Sequence, residues 1–369
     1  MMSCQAPDQN IIKQKNIVEK NIEIKYAKRF TIIYSHNITK VCLFGNKNNL
    51  DTTAVFYIYK TANILTANSK NTFFIKSPCN KIAALSSIYS AMLCELNCIN
   101  SIAAIDNVDY ITNIQIIEKQ KSNKIIELSK GPQIDLEKTI TLSPDIIFSF
   151  GMGEGEKDKN KKLDQTGIPI AIILDHLESS PLARAEWIKF FAAFVNKKEL
   201  ADSLFNETEK NYLELKKIAK NSSYKPSVFT EIKYSDAWYV PGGNSYIAQL
   251  IKDANANYIW ANDINTGSFP LSFEQVFSKA NKAEFWINLS NIKTKKELLG
   301  FENRYREFNA FKVGNLYNNN KNTNALGYSK YWETGMIYPN KILNDLILIF
   351  HPELINSINN KLTFYKKIN

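Results

Sequence analysis

The spacing of apolar residues along the chain changes character twice. Residues 22–78 hold four short runs rich in β-branched and aromatic side chains, Phe30–Tyr34, Val41–Phe44, Val55–Tyr59 and Phe73–Lys76. Polar turn stretches such as Gly45-Asn46-Lys47-Asn48-Asn49 separate them. Runs of this kind predict strands, here a hairpin decoration ahead of the main fold. From Lys81 short apolar strands alternate with helical patterns: strand Lys81–Leu85, helix Ile88–Leu96, strand Ser101–Ile105, helix Asp135–Leu142, strand Asp145–Phe150 and strand Ile168–Leu174. Alternation of this type predicts βαβ units and a largely parallel sheet.

A different pattern fills Ser180–Ser222. Ser180 and Pro181 suit the start of a helix. Ile188, Phe191, Ala192 and Val195, then Leu204, Tyr212, Leu215 and Ala219, recur at helical spacing with neither Gly nor Pro between them. About 40 helical residues would extend about 60 Å at 1.5 Å per residue, the length of a spine joining two lobes, with room for a local break near Asn196–Lys198. The α/β alternation then resumes with strand Val228–Ile232, helices Tyr246–Asp253 and Phe273–Lys279, strands Glu284–Leu289 and Phe311–Tyr317, and helices from Pro339 and Pro352. Each half also carries an acidic helix start leading into a strand: Glu137 ahead of Pro144-Asp145, and Glu274 ahead of Glu284-Phe-Trp-Ile. The expected architecture is α/β, two Rossmann-like lobes joined by a single long α-helix, with a ligand cleft between them. The boundaries are 1–23 for an N-terminal tether, 24–178 for the first lobe with its β-rich decoration, 179–222 for the linker helix and 223–369 for the second lobe.

Composition narrows the function. With 369 residues, 44% hydrophobic and 22% charged, the chain is ordinary globular material. No apolar run approaches the roughly 18 residues that span a bilayer. The net charge of +10 comes from scattered Lys. The basic clusters Lys157–Lys162 and Lys293–Lys296 lack interleaved aromatics, so they read as solvated faces and no nucleic-acid partner is expected. The five cysteines form no CxxC pair. Cys94 and Cys98 read as core thiols, and three scattered histidines argue against a zinc-type site. Met1-Met2-Ser3-Cys4-Gln5 looks like the end of a lipoprotein signal peptide, with Cys4 as the lipidated residue and the polar stretch after it as a flexible tether.

No catalytic centre stands out. Gly151-Met-Gly153-Glu-Gly155 follows a strand, but Glu156 occupies the position where a dinucleotide fingerprint needs a small residue. There is neither a phosphate-binding loop ending in Gly-Lys-Ser/Thr nor a Gly-x-Ser-x-Gly elbow. Aromatic residues do gather at expected strand ends and loops: Tyr110, Trp238, Tyr239, Phe269, Tyr328, Tyr331 and Trp332. They suit a flat, bulky or aromatic ligand. Ser86, Ser87, Asp106, Lys130 and Asp175 are polar candidates beside them. Arg184 reads either as a cleft contact or as a structural residue paired with Glu186.

Four stretches carry a resemblance: Lys81-Ile-Ala-Ala-Leu-Ser-Ser87; Asp135-Leu-Glu-Lys-Thr-Ile-Thr-Leu-Ser-Pro-Asp-Ile-Ile147; Pro181-Leu-Ala-Arg-Ala-Glu-Trp-Ile-Lys-Phe-Phe-Ala192; and Trp238-Tyr-Val-Pro-Gly-Gly-Asn-Ser-Tyr246 with Pro270-Leu-Ser-Phe-Glu274. In this order they resemble the periplasmic substrate-binding proteins of cobalamin, ferric-siderophore and haem ABC importers, over roughly residues 73–352. The resemblance implies a class III periplasmic binding protein, without catalysis or a resident cofactor, the ligand itself being a metal chelate. It implies a permease dimer with its ATPase as partner, docked through Glu137 and Glu274, one per lobe. It also implies a membrane-anchored lipoprotein in the periplasm. Lys130, Arg184 and the aromatic loops lean toward an anionic iron chelate. The competing readings are a two-lobed α/β enzyme with its site at the lobe junction, and a scavenging surface lipoprotein without a permease.

Overall fold

A computed structural model describes residues 20–21, 24–45, 51–60, 71–130, 133–158 and 161–369. Cys4 and most of the N-terminal tether lie outside the described residues. The first lobe is a five-stranded parallel sheet in the order Ile170–Ile173, Ile146–Phe150, Ile82–Leu85, Ile102–Ile105, Ile126–Glu127. Ile82–Leu85 lies at its centre and is buried throughout, as expected of a strand covered on both faces. The second lobe repeats the plan with Asn257–Tyr258, Ser227–Thr230, Phe285–Ile287 and Leu316–Asn318 in parallel, closed by antiparallel Lys366–Lys367. A three-stranded antiparallel sheet, Lys233–Tyr234, Ala237–Pro241 and Ser268–Leu271, flanks it. Where a strand was expected over Phe311–Tyr317, a short helix Asn309–Lys312 precedes the strand Leu316–Asn318.

The expected decoration is a five-stranded sheet in sequence order, Lys20–Asn21, Phe30–Tyr34, Ile38–Phe44, Thr52–Tyr59 and Thr72–Lys76. It packs on the helix Pro181–Val195 through Phe30 against Trp187 (ring centroids 4.7 Å apart) and Phe56 against Phe194 (5.4 Å). Two buried glutamates fasten it. Glu186 accepts backbone N–H bonds from Lys25, Tyr26 and Ala27 at 2.8–3.0 Å. Glu178 accepts them from Lys28 and Arg29 at 3.1–3.2 Å.

The spine departs from the expected helix over 181–221. Pro181–Val195 ends at Asn196, whose φ of +54° is left-handed, and a second helix runs Lys198–Ala219. Asn tolerates that conformation better than most residues and commonly ends helices in it. The two helices fold back on each other: Lys189 lies 4.3 Å from the ring centroid of Phe205, and Lys25 and Tyr26 touch both Glu186 and Glu209. All fifteen residues of the first helix are buried, between the N-terminal sheet, the first lobe and the second helix. The single linker helix is therefore Lys198–Ala219, about 33 Å long at 1.5 Å per residue. It packs along the C-terminal helix Pro339–Phe350 of the second lobe. No helix among the described residues is long and apolar enough to cross a membrane.

Candidate functional site

Parallel strands put all their carboxyl ends on one edge of a sheet, and ligands of open α/β sheets bind there. In the first lobe that edge carries Ser86 and Ser87, Asp106, the loop from Gly151, and Asp175-His176. In the second it carries Glu231, Asn288 and Asn319-Asn320. Several contacts join the lobes. The Asn324 amide donates to the carbonyls of Asp109 (2.7 Å) and Ile111 (3.0 Å), and the Thr112 N–H to Glu333 (2.8 Å). Tyr110 meets Tyr328 edge-on, centroids 4.8 Å apart.

The deepest of these contacts is Arg184. Its guanidinium donates to Asp175 through Nε (3.2 Å) and Nη2 (2.7 Å), and to the Met336 sulfur at 3.0 Å. It also lies 4.6 Å from the ring centroid of Tyr246. Arg184 and Asp175 are 7% and 2% exposed, so this is a buried pair with its charges matched. Tyr89 adds a hydroxyl bond to Asp175 at 3.4 Å. Arg184 thus bridges the first lobe to the second, and its carboxylate partner is Asp175. Glu186, the partner considered from sequence, instead holds Lys189 at 2.9 Å. His176, next in sequence, packs at a tilt against Phe150 with centroids 4.6 Å apart. Burial pushes its imidazole down to about 4, which keeps it neutral at pH 7.

Across the seam Glu231 ends the strand Ser227–Thr230 with φ at +66°. Its backbone is fixed by a bond from its N–H to the Ile287 carbonyl (3.2 Å) and by Trp286 Nε1 donating to its own carbonyl (2.7 Å). Burial pushes its carboxyl up to about 8. Tyr246, Tyr331, Tyr365 and Tyr258 stand within electrostatic reach of it. Sequence reading missed Glu231 because Val228–Ile232 looks like one continuous strand. A lone acid at the end of an apolar run was the available signal.

The other expected site residues separate into three groups. Ser86, Ser87 and Asp106 lie half-buried at strand ends on the first-lobe edge, and Ser86 caps the helix Ser87–Glu95 without a side-chain bond. Tyr110 and Trp332 are 44% and 45% exposed. The side chain of Lys130 lies outside the described residues.

Trp238 and Tyr331 require correction as cleft walls, because both are fully buried. Trp238 alternates inward on its strand, packs against Trp286 and Tyr305, and donates Nε1 to the Thr230 carbonyl at 3.1 Å. Tyr331 packs against Trp332 and Tyr365. Tyr239 points the opposite way from Trp238 and is 48% exposed, as the two-residue period of a strand requires. Phe269 lines a groove of about 720 Å³ with Trp260 and Glu274, away from Arg184.

Glu137 and Glu274 both lie exposed in the first turn of a helix, capped by Asp135 and Ser272 respectively. They are not equivalent. Glu274 pairs with Arg304 at 3.0 Å, whereas Glu137 has no ion pair among the described residues. The glycine loop fills its own cradle: Asp158 accepts the N–H groups of Met152, Gly153 and Glu154 at 2.8–2.9 Å, where a phosphate would otherwise sit. Among the described residues no cluster of three His, Cys, Asp or Glu stands ready to hold a metal ion.

Two largely parallel sheets, bridged by Arg184 and joined by one linker helix, define a two-lobed solute-binding protein of class III. Residues 82–323 match the model of the periplasmic binding protein family, and the chain belongs to that family, whose members bind solutes and are not enzymes. An uncharacterized lipoprotein of Methanocaldococcus jannaschii is 30% identical over 249 residues, 67% of this chain and 57% of that protein. The chain therefore spans less than two thirds of that relative's length. Among solved structures, a periplasmic haem-binding protein from Pseudomonas aeruginosa shares the fold at a TM-score of 0.58 and 14% identity, over 79% of this chain and 98% of that one. The periplasmic vitamin B12 binding protein of Vibrio cholerae does so at 0.53 and 12%, over 74% and 97%.

Proposed function

We propose that the protein captures an iron-siderophore, haem or cobalamin-type ligand between its lobes and delivers it to the permease dimer of an ABC importer. Cys4 would carry the lipid that anchors it to the membrane in the periplasm. The observation that carries the reading is the seam itself. Asp175 at a first-lobe strand end and Tyr246 in the second lobe meet on the two sides of Arg184, and the helix Lys198–Ala219 runs between the lobes. Glu137 and Glu274, one per lobe and both exposed, suit docking on two basic patches, where paired charges fix orientation.

The test is ATPase stimulation. The protein, loaded from a panel of ferric chelates, haem and corrinoids, is added to its permease and ATPase in proteoliposomes. Stimulation by one loaded form supports the reading. A folded protein that stimulates with none of them removes it.

A further inference from the structure

We propose that the protein binds a small oxyanion of phosphate size in a side pocket where its N-terminal sheet meets both lobes, with Arg29 and Lys28 as the cations that receive it. The inference goes beyond the importer reading and stands without it. The pocket, of about 290 Å³, is walled on one side by Leu177, Glu178 and Ser179, which follow the first lobe's edge strand Ile170–Ile173. Asn244 and Thr266 close it from the second lobe, and Lys28 and Arg29 from the start of the N-terminal sheet. That volume lies at the lower limit for drug-sized molecules, so it suits an ion better than a macrocycle. Lys28 and Arg29 lie outside residues 82–323, the part that matches the family. They reach this wall because Glu178 and Glu186 fasten the sheet there.

The first support is a buried cation with unused donors. Arg29 is 7% exposed. Its Nη1 donates to the Gly45 carbonyl at 2.6 Å, while among the described residues Nε and Nη2 have no hydrogen-bond partner and no carboxylate forms a salt bridge with them. Neither nitrogen is fully enclosed by protein, and the open space beside Arg29 is this pocket. Burial pushes the guanidinium's pKa down even with Glu178 nearby, as expected of a cation short of counter-charge. Buried charges are ordinarily paired, and here the pairing is incomplete.

The second support is the make-up of the whole wall. Its charged residues are Lys28 and Arg29 against Glu178, a net of +1. Glu178 is buried, and its carboxylate already accepts the backbone N–H groups of Lys28 and Arg29 at 3.1–3.2 Å and Trp187 Nε1 at 3.3 Å. Lys28 is exposed, and among the described residues its ammonium has neither an ion pair nor a hydrogen bond. The hydroxyls of Ser179 and Thr266 likewise make no hydrogen bond among the described residues. The Asn244 amide donates to the Ile264 carbonyl at 2.8 Å, which holds the second-lobe side of the wall. Two cations and two free hydroxyls therefore converge on one small space. Hydrogen bonds from cations to an anion are the strong ones, and an oxyanion there would tie the N-terminal sheet to the second lobe.

The experiment titrates inorganic phosphate and glycerol 3-phosphate into the full chain by calorimetry, with ionic strength held constant by chloride. Phosphate should bind saturably at one site per chain, and chloride alone should not. Arg29→Gln should weaken phosphate at least about tenfold and Thr266→Val about fivefold, and Lys28→Gln, at the exposed rim, about threefold. Phosphate binding more tightly than glycerol 3-phosphate supports a free ion as the occupant. The reverse order supports an oxyanion carried on a larger molecule. No saturable binding of either by folded protein overturns the proposal and leaves the importer reading standing, and so does binding that none of the three substitutions weakens. If Arg29→Gln does not fold, Thr266→Val and Lys28→Gln decide: unchanged affinity in both overturns the proposal.

Discussion

Replacing Asp175 by Asn removes the charge that neutralises Arg184 while keeping the side chain's size. The structure sets the scale. The guanidinium is 7% exposed and donates twice to Asp175, at 3.2 and 2.7 Å, and Tyr89 adds a third bond to the same carboxylate. Breaking one partner of a buried pair leaves an uncompensated charge and costs about 3–5 kcal/mol. A domain's total stability is only about 5–15 kcal/mol, so the variant should unfold at clearly lower denaturant. Asp175→Leu combined with Arg184→Met removes both charges and should recover to within about 1 kcal/mol of wild type. Urea unfolding followed by tryptophan emission reads this directly, since Trp187, Trp238 and Trp286 are fully buried. The midpoint should fall in the single variant with the slope unchanged. The freed cation should also raise affinity for haemin. A loss below about 1 kcal/mol for Asp175→Asn, or a double variant no better than the single, would refute the assignment of this pair as the buried link between the lobes.

Trp238→Ala should destabilise the second lobe by about 3–5 kcal/mol through its cavity, yet leave ligand affinity in the folded protein within twofold by equilibrium titration. A large affinity loss at full folding would return Trp238 to the cleft. Glu231 holds its proton up to about 8 when folded against an ordinary 4.5, so its contribution is largest below about 4.5 and is lost as pH rises toward 8. At 1.36 kcal/mol per pH unit this caps at about 5 kcal/mol, and the half-buried position of Glu231 brings it below that cap. Glu231→Gln should therefore be the more stable protein at pH 8 by thermal melting, with the gain vanishing near pH 4.5. Reversing Glu137 and Glu274 to Lys together should leave ligand affinity intact and abolish ATPase stimulation. The Glu137 single variant should be the weaker of the two, because Glu274 is already shared with Arg304. Wild-type stimulation by the double variant would make both ordinary helix-start acids.

The lobes were legible because alternation of apolar strands and helices is written locally. Ile82–Leu85, Ile146–Phe150 and Phe285–Ile287 each fall within a segment expected to be a strand. The spine was read in part, for an equally local reason: a break near Asn196–Lys198 was allowed for, and the chain does break there, but its reversal was not expected. Helical spacing continues through Asn196, and neither Gly nor Pro marks the reversal; an Asn able to turn left-handed is the one local sign at the break itself. One further signal was present: Leu182, Ala185, Trp187, Ile188, Phe190, Phe191, Ala193 and Phe194 place apolar side chains all round that helix, as in helices with no face toward water. The site was less legible. Trp238 and Tyr239 are adjacent, so a strand sends one inward and one outward, and sequence does not say which. Asp175 and Arg184 lie nine positions apart on different elements, and their pairing depends on how the strand end meets the helix. Glu231 stands out only once Tyr246, Tyr331 and Tyr365, distant in sequence, are seen around it.

The central claim is that the seam between the lobes holds a metal-bearing macrocycle or chelate. The most direct measurement is native mass spectrometry, with a visible absorption spectrum, on protein purified from its own source. The account predicts one bound molecule per chain, coloured, and lost when Tyr246→Ala opens the contact with Arg184 while the protein stays folded. A folded wild-type protein that carries no added mass, and takes up no corrinoid, haem or ferric chelate when these are supplied in excess, would contradict it.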